Sequence, residues 1–323
     1  MRRVLAAMLV LALGGALLAP AAPARVWRVA INQFVEHPAL DACRRGFQDY
    51  LAEHGYRPGK QVIYDYQNAQ ANMATAGLIA RRQVGGDADL ILAIATPSAQ
   101  ATVAAARRRP KPILFTAITD PVGAGLVKNL KNPGGMVSGV SDLSPVYRQI
   151  ALFKKVMPQL RRLGVIYNPG EANSVTLIRL ARAACKKLGL QLIEATAVSS
   201  VAVLPAAASL VGKVDALLAP TDNTVVSTLE SAVKVAVQNR LPLFAMDVAS
   251  ARRGAALALG MDYYRLGRQT GAMALRFFRG QKLGDMPVET LKRVLLHVNL
   301  KTAKKMGLTV PAAIVRRADK VYR

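Results

Sequence analysis

Short unbroken apolar runs alternate along this chain with longer stretches in which apolar side chains recur every three or four positions. The first pattern predicts buried strands and the second amphipathic helices. Strands are expected at Trp27–Gln33, Gln61–Tyr66, Leu90–Ala95, Ile113–Ala117, Arg162–Tyr167, Gln191–Thr196, Ala216–Ala219, Leu243–Asp247 and Ala255–Gly260. Between them the helical period covers Leu40–His54, Met73–Gly85, Ser98–Arg107, Pro145–Met157, Val175–Leu188, Val225–Gln238 and Tyr264–Arg279. Strand followed by helix throughout means parallel sheets covered on both faces, an α/β protein.

The pattern is written twice. Val26–Phe34 is answered by Arg161–Pro169, with Asn168 in the place of Asn32; Leu90–Ser98 is answered by Ala216–Asn223, and Lys111–Ala117 by Leu241–Ala245. Residues 25–323 also exceed one comfortable core, so two doubly wound, Rossmann-like lobes are expected. The first repeat ends near the Gly/Ser-rich Val137–Ser144 and the second near Gly260, leaving a helix, an extended run at Thr290–Val298 and a short helix near Leu300–Met306. A remainder of this kind suits a chain that returns to the first lobe and crosses back. The expected division is 25–142 plus about 261–288 for the N-terminal lobe, and 143–260 plus about 289–323 for the C-terminal lobe. Several crossings restrict two lobes to a hinge, the geometry of closure around a ligand.

Arg2 and Arg3, an apolar run from Val4 to Ala19 and the Ala22-Pro23-Ala24 site form an export signal cleaved after Ala24. The run is shorter than the roughly 20 residues a membrane span needs, and Pro20 and Pro23 break it. No Cys adjoins the cleavage site, so a diffusible exported product is expected. Losing Arg2 and Arg3 lowers the formal charge from +25 to +23. Such a charge favours anionic partners through long-range fields. The basic residues are nevertheless spread over helix ends and polar faces, with no groove-reading motif, so no nucleic-acid partner is expected. Cys43 and Cys185 occupy equivalent first helices of the two halves and are read as unpaired. Three scattered His residues and no clustered Cys/His spacing give no metal site and no cofactor. His37, His54 and His297 are read as surface or helix-end groups.

In parallel sheets ligands bind outside the carboxyl ends of strands, and here those ends carry small polar residues. Thr96 and Ser98 open a helix after a strand, where hydroxyls and free N–H groups suit a carboxylate, although Ser98 also reads as a plain cap. Thr119 and Asp120 end the next strand in TAITDP; Asp120 before Pro121 is equally a turn residue. Asn168 and Asn173 bracket the turn YNPGEANS. Asp222 and Asn223 close an apolar strand at the position matching Thr96, and Asp247 lies at the following strand end. Gln33 and Phe34 follow the first strand; Phe34, Tyr66 and Tyr167 face either a ligand or the core.

The stretches His37–Phe47, Thr96–Ala101, Phe115–Val127, Gly139–Asp142, Tyr167–Ser174, Pro220–Ser227, Gly260–Gly271 and Val298–Leu308 carry a resemblance that covers nearly the whole exported chain. They resemble ABC-transporter substrate-binding proteins of periplasmic binding protein type I architecture, in the branch of the tryptophan-binding lipoprotein. The resemblance implies a periplasmic, non-catalytic receptor that closes two lobes on a small polar ligand, an amino acid or derivative, and presents it to an inner-membrane ABC permease. A monomer is expected. Relatives with a lipobox Cys are tethered, and this chain lacks one. A zwitterionic amino acid needs carboxylate donors on one lobe and ammonium acceptors on the other. Asp222 and Asp247 are the expected acceptors. Two other readings stand beside this: a ligand sensor signalling to a membrane receptor, and an exported enzyme using Asp120, Asp222 or Asp247. The second lacks any GxSxG elbow, HExxH or metal spacing.

Overall fold

The computed structural model describes residues 25–323. The export segment and its cleavage after Ala24 lie outside the described residues. The strands are β1 (Trp27–Gln33), β2 (Val62–Asn68), β3 (Leu90–Ile94), β4 (Ile113–Ile118), β5 (Val137–Ser141), β6 (Arg162–Tyr167), β7 (Gln191–Thr196), β8 (Ala216–Ala219), β9 (Leu243–Ala245), β10 (Leu257–Gly260), β11 (Glu289–Thr290), β12 (Leu295–Asn299) and β13 (Lys320–Tyr322).

They form two sheets, ordered β11-β5-β4-β3-β1-β2 and β13-β12-β10-β9-β8-β6-β7. The order β2-β1-β3-β4-β5 in one lobe is repeated as β7-β6-β8-β9-β10 in the other, so the duplicated sequence is a duplicated topology. Pairing within each repeat is parallel, with Ile31 opposite both Tyr66 and Leu92. Strands β3, β4 and β8 are buried along their whole length because helices cover both faces. The apolar cores fall out by lobe, one around Phe153 and Phe244 and another around Phe47 and Leu92.

Two departures from the sequence reading concern the lobe joints. Val137–Ser141, expected only as the end of a repeat, is the strand β5. The tail adds β12 antiparallel to β10, so the second sheet is mixed. Glu289–Thr290 pairs with β5, so the last crossing follows residue 290. The chain thus crosses between β5 and the helix Val146–Val156, between β10 and the helix Tyr263–Phe278, and between β11 and β12.

The second crossing is anchored by close helix packing. The helix Tyr263–Phe278 lies against Pro38–Glu53 in the first lobe with glycines at the contact. A Cβ on Gly267 would stand 1.8 Å from the Cys43 carbonyl oxygen, and one on Gly46 would stand 2.1 Å from that of Tyr264. Both cysteines are free and buried in separate lobes.

Candidate functional site

The carboxyl ends of β4, β5, β8, β9 and β10 converge on a cleft between the lobes. The first lobe lines it with His37, Leu40, Ala117, Thr119, Asp142 and Tyr263. The second contributes Asn173, Thr221, Asp222, Asn223, Val226 and Asp247. The space left between them is about 20 Å³, room for roughly one water molecule. An amino acid therefore enters only if the lobes part.

Backbone geometry at the first lobe's rim is unusual. Ala95, which caps the helix Thr96–Ala105, has φ 77° and ψ 152°, and Ala117 has φ 57°. The Ala95 region is ordinarily reserved for glycine and costs of the order of 1–3 kcal/mol, a strain that clusters at ligand clamps. Ala117 sits where β4 slips register against β5, between Thr116 and Ile118.

Carboxylates dominate the electrostatics. Asp142, just past β5, accepts a 2.6 Å hydrogen bond from the Tyr263 hydroxyl and a 3.1 Å bond from the Thr119 hydroxyl. Asp222 caps the helix Asn223–Ser227 by accepting from the Val225 N–H, and its other oxygen accepts from the Asn168 N–H and the Ser174 hydroxyl, both at 2.6 Å. Asp247 accepts from the backbone N–H and hydroxyl of Ser250. Burial raises the pKa of all three above the ordinary aspartate value, and at Asp222 the nearby Glu171 adds to the effect. These hydrogen bonds pull the other way without cancelling burial. Among the described residues no ion pair involves any of the three.

His37 is buried against this wall. Burial, with the Arg253 charge adding to it, lowers its pKa to about 3, so the imidazole is neutral at ordinary pH. Among the described residues its Nδ1 has no hydrogen-bond partner, and neither does Asn173 Oδ1. Buried polar atoms left in this state cost about 1–3 kcal/mol each until a ligand or water satisfies them.

Of the residues singled out in the sequence, Thr119, Asn173, Asp222, Asn223 and Asp247 meet in the cavity wall. The others lie outside that wall for identifiable reasons. Ser98 donates to Asn32 Oδ1 inside the lobe. The Gln33 amide donates to the Val35 carbonyl and to Asp41. Phe34 is packed in the core. Asp120 accepts from the Gly123 N–H to close its turn. The Asn168 side chain donates to Thr224 and accepts from the Gly170 N–H. Thr96 is buried at the start of its helix, outside the cavity lining, with Oγ1 unpartnered. Tyr66 and Tyr167 are likewise spent elsewhere, donating to Glu36 and Glu194.

Sequence reading missed His37, Asp142, Tyr263 and Glu171. His37 is a helix-end group, as expected, but not a surface one: as the residue before Pro38 it is held in extended backbone at the helix start, buried in the cleft lining. Asp142 follows a strand that the pattern did not reveal. Tyr263 immediately follows the second crossing, where its partner Asp142 marks the first.

The model for the family described as ABC transporter substrate binding protein matches residues 28–322. The chain is 41% identical over 280 residues to the tyrosine-binding protein of Clostridioides difficile (strain R20291), covering 87% of this chain and 81% of that one. It superposes with a TM-score of 0.88 on an ABC domain in complex with L-Trp from Streptococcus pneumonia, at 33% identity, covering 92% and 99% of the two chains. The ligand-free, open structure of a Clostridium difficile substrate-binding protein gives a TM-score of 0.69 at 39% identity, with the same coverage. The match spans both lobes and every crossing between them, and on that ground the chain belongs to the ABC transporter substrate-binding proteins.

Proposed function

We propose that this protein is a periplasmic receptor that closes its lobes on an aromatic L-amino acid and delivers it, as a monomer and without catalysis, to an ABC permease in the inner membrane. One observation carries the reading: three aspartates are buried in the interlobe wall and, among the described residues, none of them forms an ion pair, Arg253 acting on Asp247 only through its field. Buried charge is costly unless paired, and a ligand ammonium supplies the missing partner through charge-assisted hydrogen bonds. Thr96 Oγ1, outside the lining of the closed cavity, is buried without a partner among the described residues at the N-terminus of the helix Thr96–Ala105. That terminus suits the ligand carboxylate once the lobes part.

Leu40, Ala117 and Val226 give the same cavity an apolar side. The aromatic class is taken from relatives whose names record tyrosine and L-Trp. Agreement in shape supports the closing motion. The chain superposes better on the L-Trp complex than on the ligand-free open structure, although the latter is nearer in sequence. The test is a thermal-shift screen of residues 25–323, refolded from denaturant to strip retained ligand. L-tyrosine, L-tryptophan and L-phenylalanine should raise the melting temperature in a concentration-dependent way. Sugars and aliphatic amino acids should not. Stabilisation by a sugar alone would overturn the assignment.

A further inference from the structure

Glu171 stands behind the second lobe's share of the cleft wall and collects five hydrogen bonds on its two oxygens. Oε1 accepts from the Thr224 N–H at 3.0 Å and from its hydroxyl at 2.8 Å. Oε2 accepts from the Asn223 N–H at 3.1 Å, from Asn223 Nδ2 at 2.6 Å and from Asn173 Nδ2 at 3.1 Å. Four of these five donors, two backbone N–H groups and two amide nitrogens, have no capacity to accept.

The asparagine orientations follow from this. Turning the Asn223 amide over would place a carbonyl oxygen at the nitrogen's position, 2.6 Å from a carboxylate oxygen, where two acceptors repel. The same holds for Asn173, whose Nδ2 also donates to the Thr221 carbonyl at 3.1 Å. With both nitrogens committed, the Asn223 oxygen is left to the His37 imidazole and the Asn173 oxygen to another partner. Asn173 Oδ1 is buried and has none. Both asparagines line the cleft beside Asp222 and Asp247, so this side of the wall offers acceptors.

We infer that Glu171 is a positioning residue: it locks Asn173 and Asn223 as acceptors, with the Asn173 oxygen unpartnered, and so makes the receptor select ligands carrying an α-ammonium group over deaminated acids of the same shape. The inference rests on the amino-acid reading above and assigns its specificity to a residue behind the wall. A neutral donor in place of the carboxylate removes the lock. In Glu171→Gln the new amide nitrogen donates, so an asparagine can turn over and offer N–H to the ligand.

The experiment is calorimetric titration of residues 25–323 with L-tyrosine and with 3-(4-hydroxyphenyl)propanoate, which lacks only the ammonium. L-tryptophan and indole-3-propanoate are run in parallel. The wild type should prefer the amino acid of the pair by at least about 100-fold, of the order expected when a site built for a hydrogen-bonding group meets an analogue lacking it. In Glu171→Gln that preference should fall by about tenfold or more. A residue that merely supported the fold would weaken both compounds alike. Asn173→Ala leaves the Glu171 contacts to Asn223 and Thr224 in place and serves if Glu171→Gln does not fold: it should weaken the amino acid and spare the deaminated acid. An unchanged preference in folded Glu171→Gln, or equal losses in Asn173→Ala, overturns the inference while leaving the receptor reading intact. A wild type that binds no amino acid overturns both.

Discussion

At the scale of single residues, the cleft is a place where polar groups are buried before their partner arrives. Asp247 spends its bonds within its own turn, on Ser250 and the Ala249 N–H, whereas Asp222 also holds the Asn168 turn and the start of a helix. Asp247→Asn should therefore lower amino-acid affinity about tenfold or more with little change in stability. Asp222→Ala should lower both, losing about 1 kcal/mol for the cap alone; ligand titration alongside urea denaturation separates the two effects.

His37 gives a pH dependence with a definite sign. Its pKa is about 3 when folded against 6.5 when exposed, so the unfolded chain takes up a proton that the folded protein refuses. The stability this contributes is present above pH 6.5 and is lost as pH falls. Relative to His37→Gln, the wild type should lose about 2 kcal/mol between pH 7 and pH 5. The three aspartates run the other way. With folded pKa values raised, they cost stability as pH rises above their ordinary range near 3.8. The ligand's stabilising effect should accordingly grow with pH across that window, as the wall ionises to receive an ammonium.

At the scale of elements, every strand expected from the sequence is observed within two residues of its expected bounds. Trp27–Gln33, Arg162–Tyr167, Gln191–Thr196 and Ala216–Ala219 are observed at their expected bounds. Strand β5 escaped because its signal is small size. A Cβ on Gly139 would stand 2.1 Å from the Phe115 carbonyl oxygen, so tight packing replaces an apolar side chain there. Losing β5 from the reading also lost Asp142, the residue at its end. The polar residues that are spent on partners within their own lobe, buried Ser98 and half-buried Asn168, are indistinguishable in sequence from those that face the cleft, because only tertiary partners separate the two.

Two substitutions test the element-level account. Gly267→Ala would press a methyl group onto the Cys43 carbonyl and force the two helices apart; a loss of about 2 kcal/mol or more is expected in urea denaturation. Ala95→Gly should raise stability by about 1 kcal/mol, because glycine occupies that backbone region without strain.

At the scale of the whole molecule, duplication and alternation were legible in the chain, and they supply two sheets with their carboxyl ends facing each other. The hinge was legible only in outline, since its three crossings depend on short strands and on a helix that returns to the first lobe. A cavity with room for about one water between walls that carry three aspartates requires the lobes to move apart and together. Solution scattering should show a smaller radius of gyration with an aromatic amino acid than without one. The most direct test of the central claim is calorimetric titration of refolded residues 25–323 with L-tyrosine and L-tryptophan. Saturable binding of at least one of them at a single site per chain is expected. A correctly folded protein that gives no heat of binding with either, and none with the remaining amino acids, would contradict it.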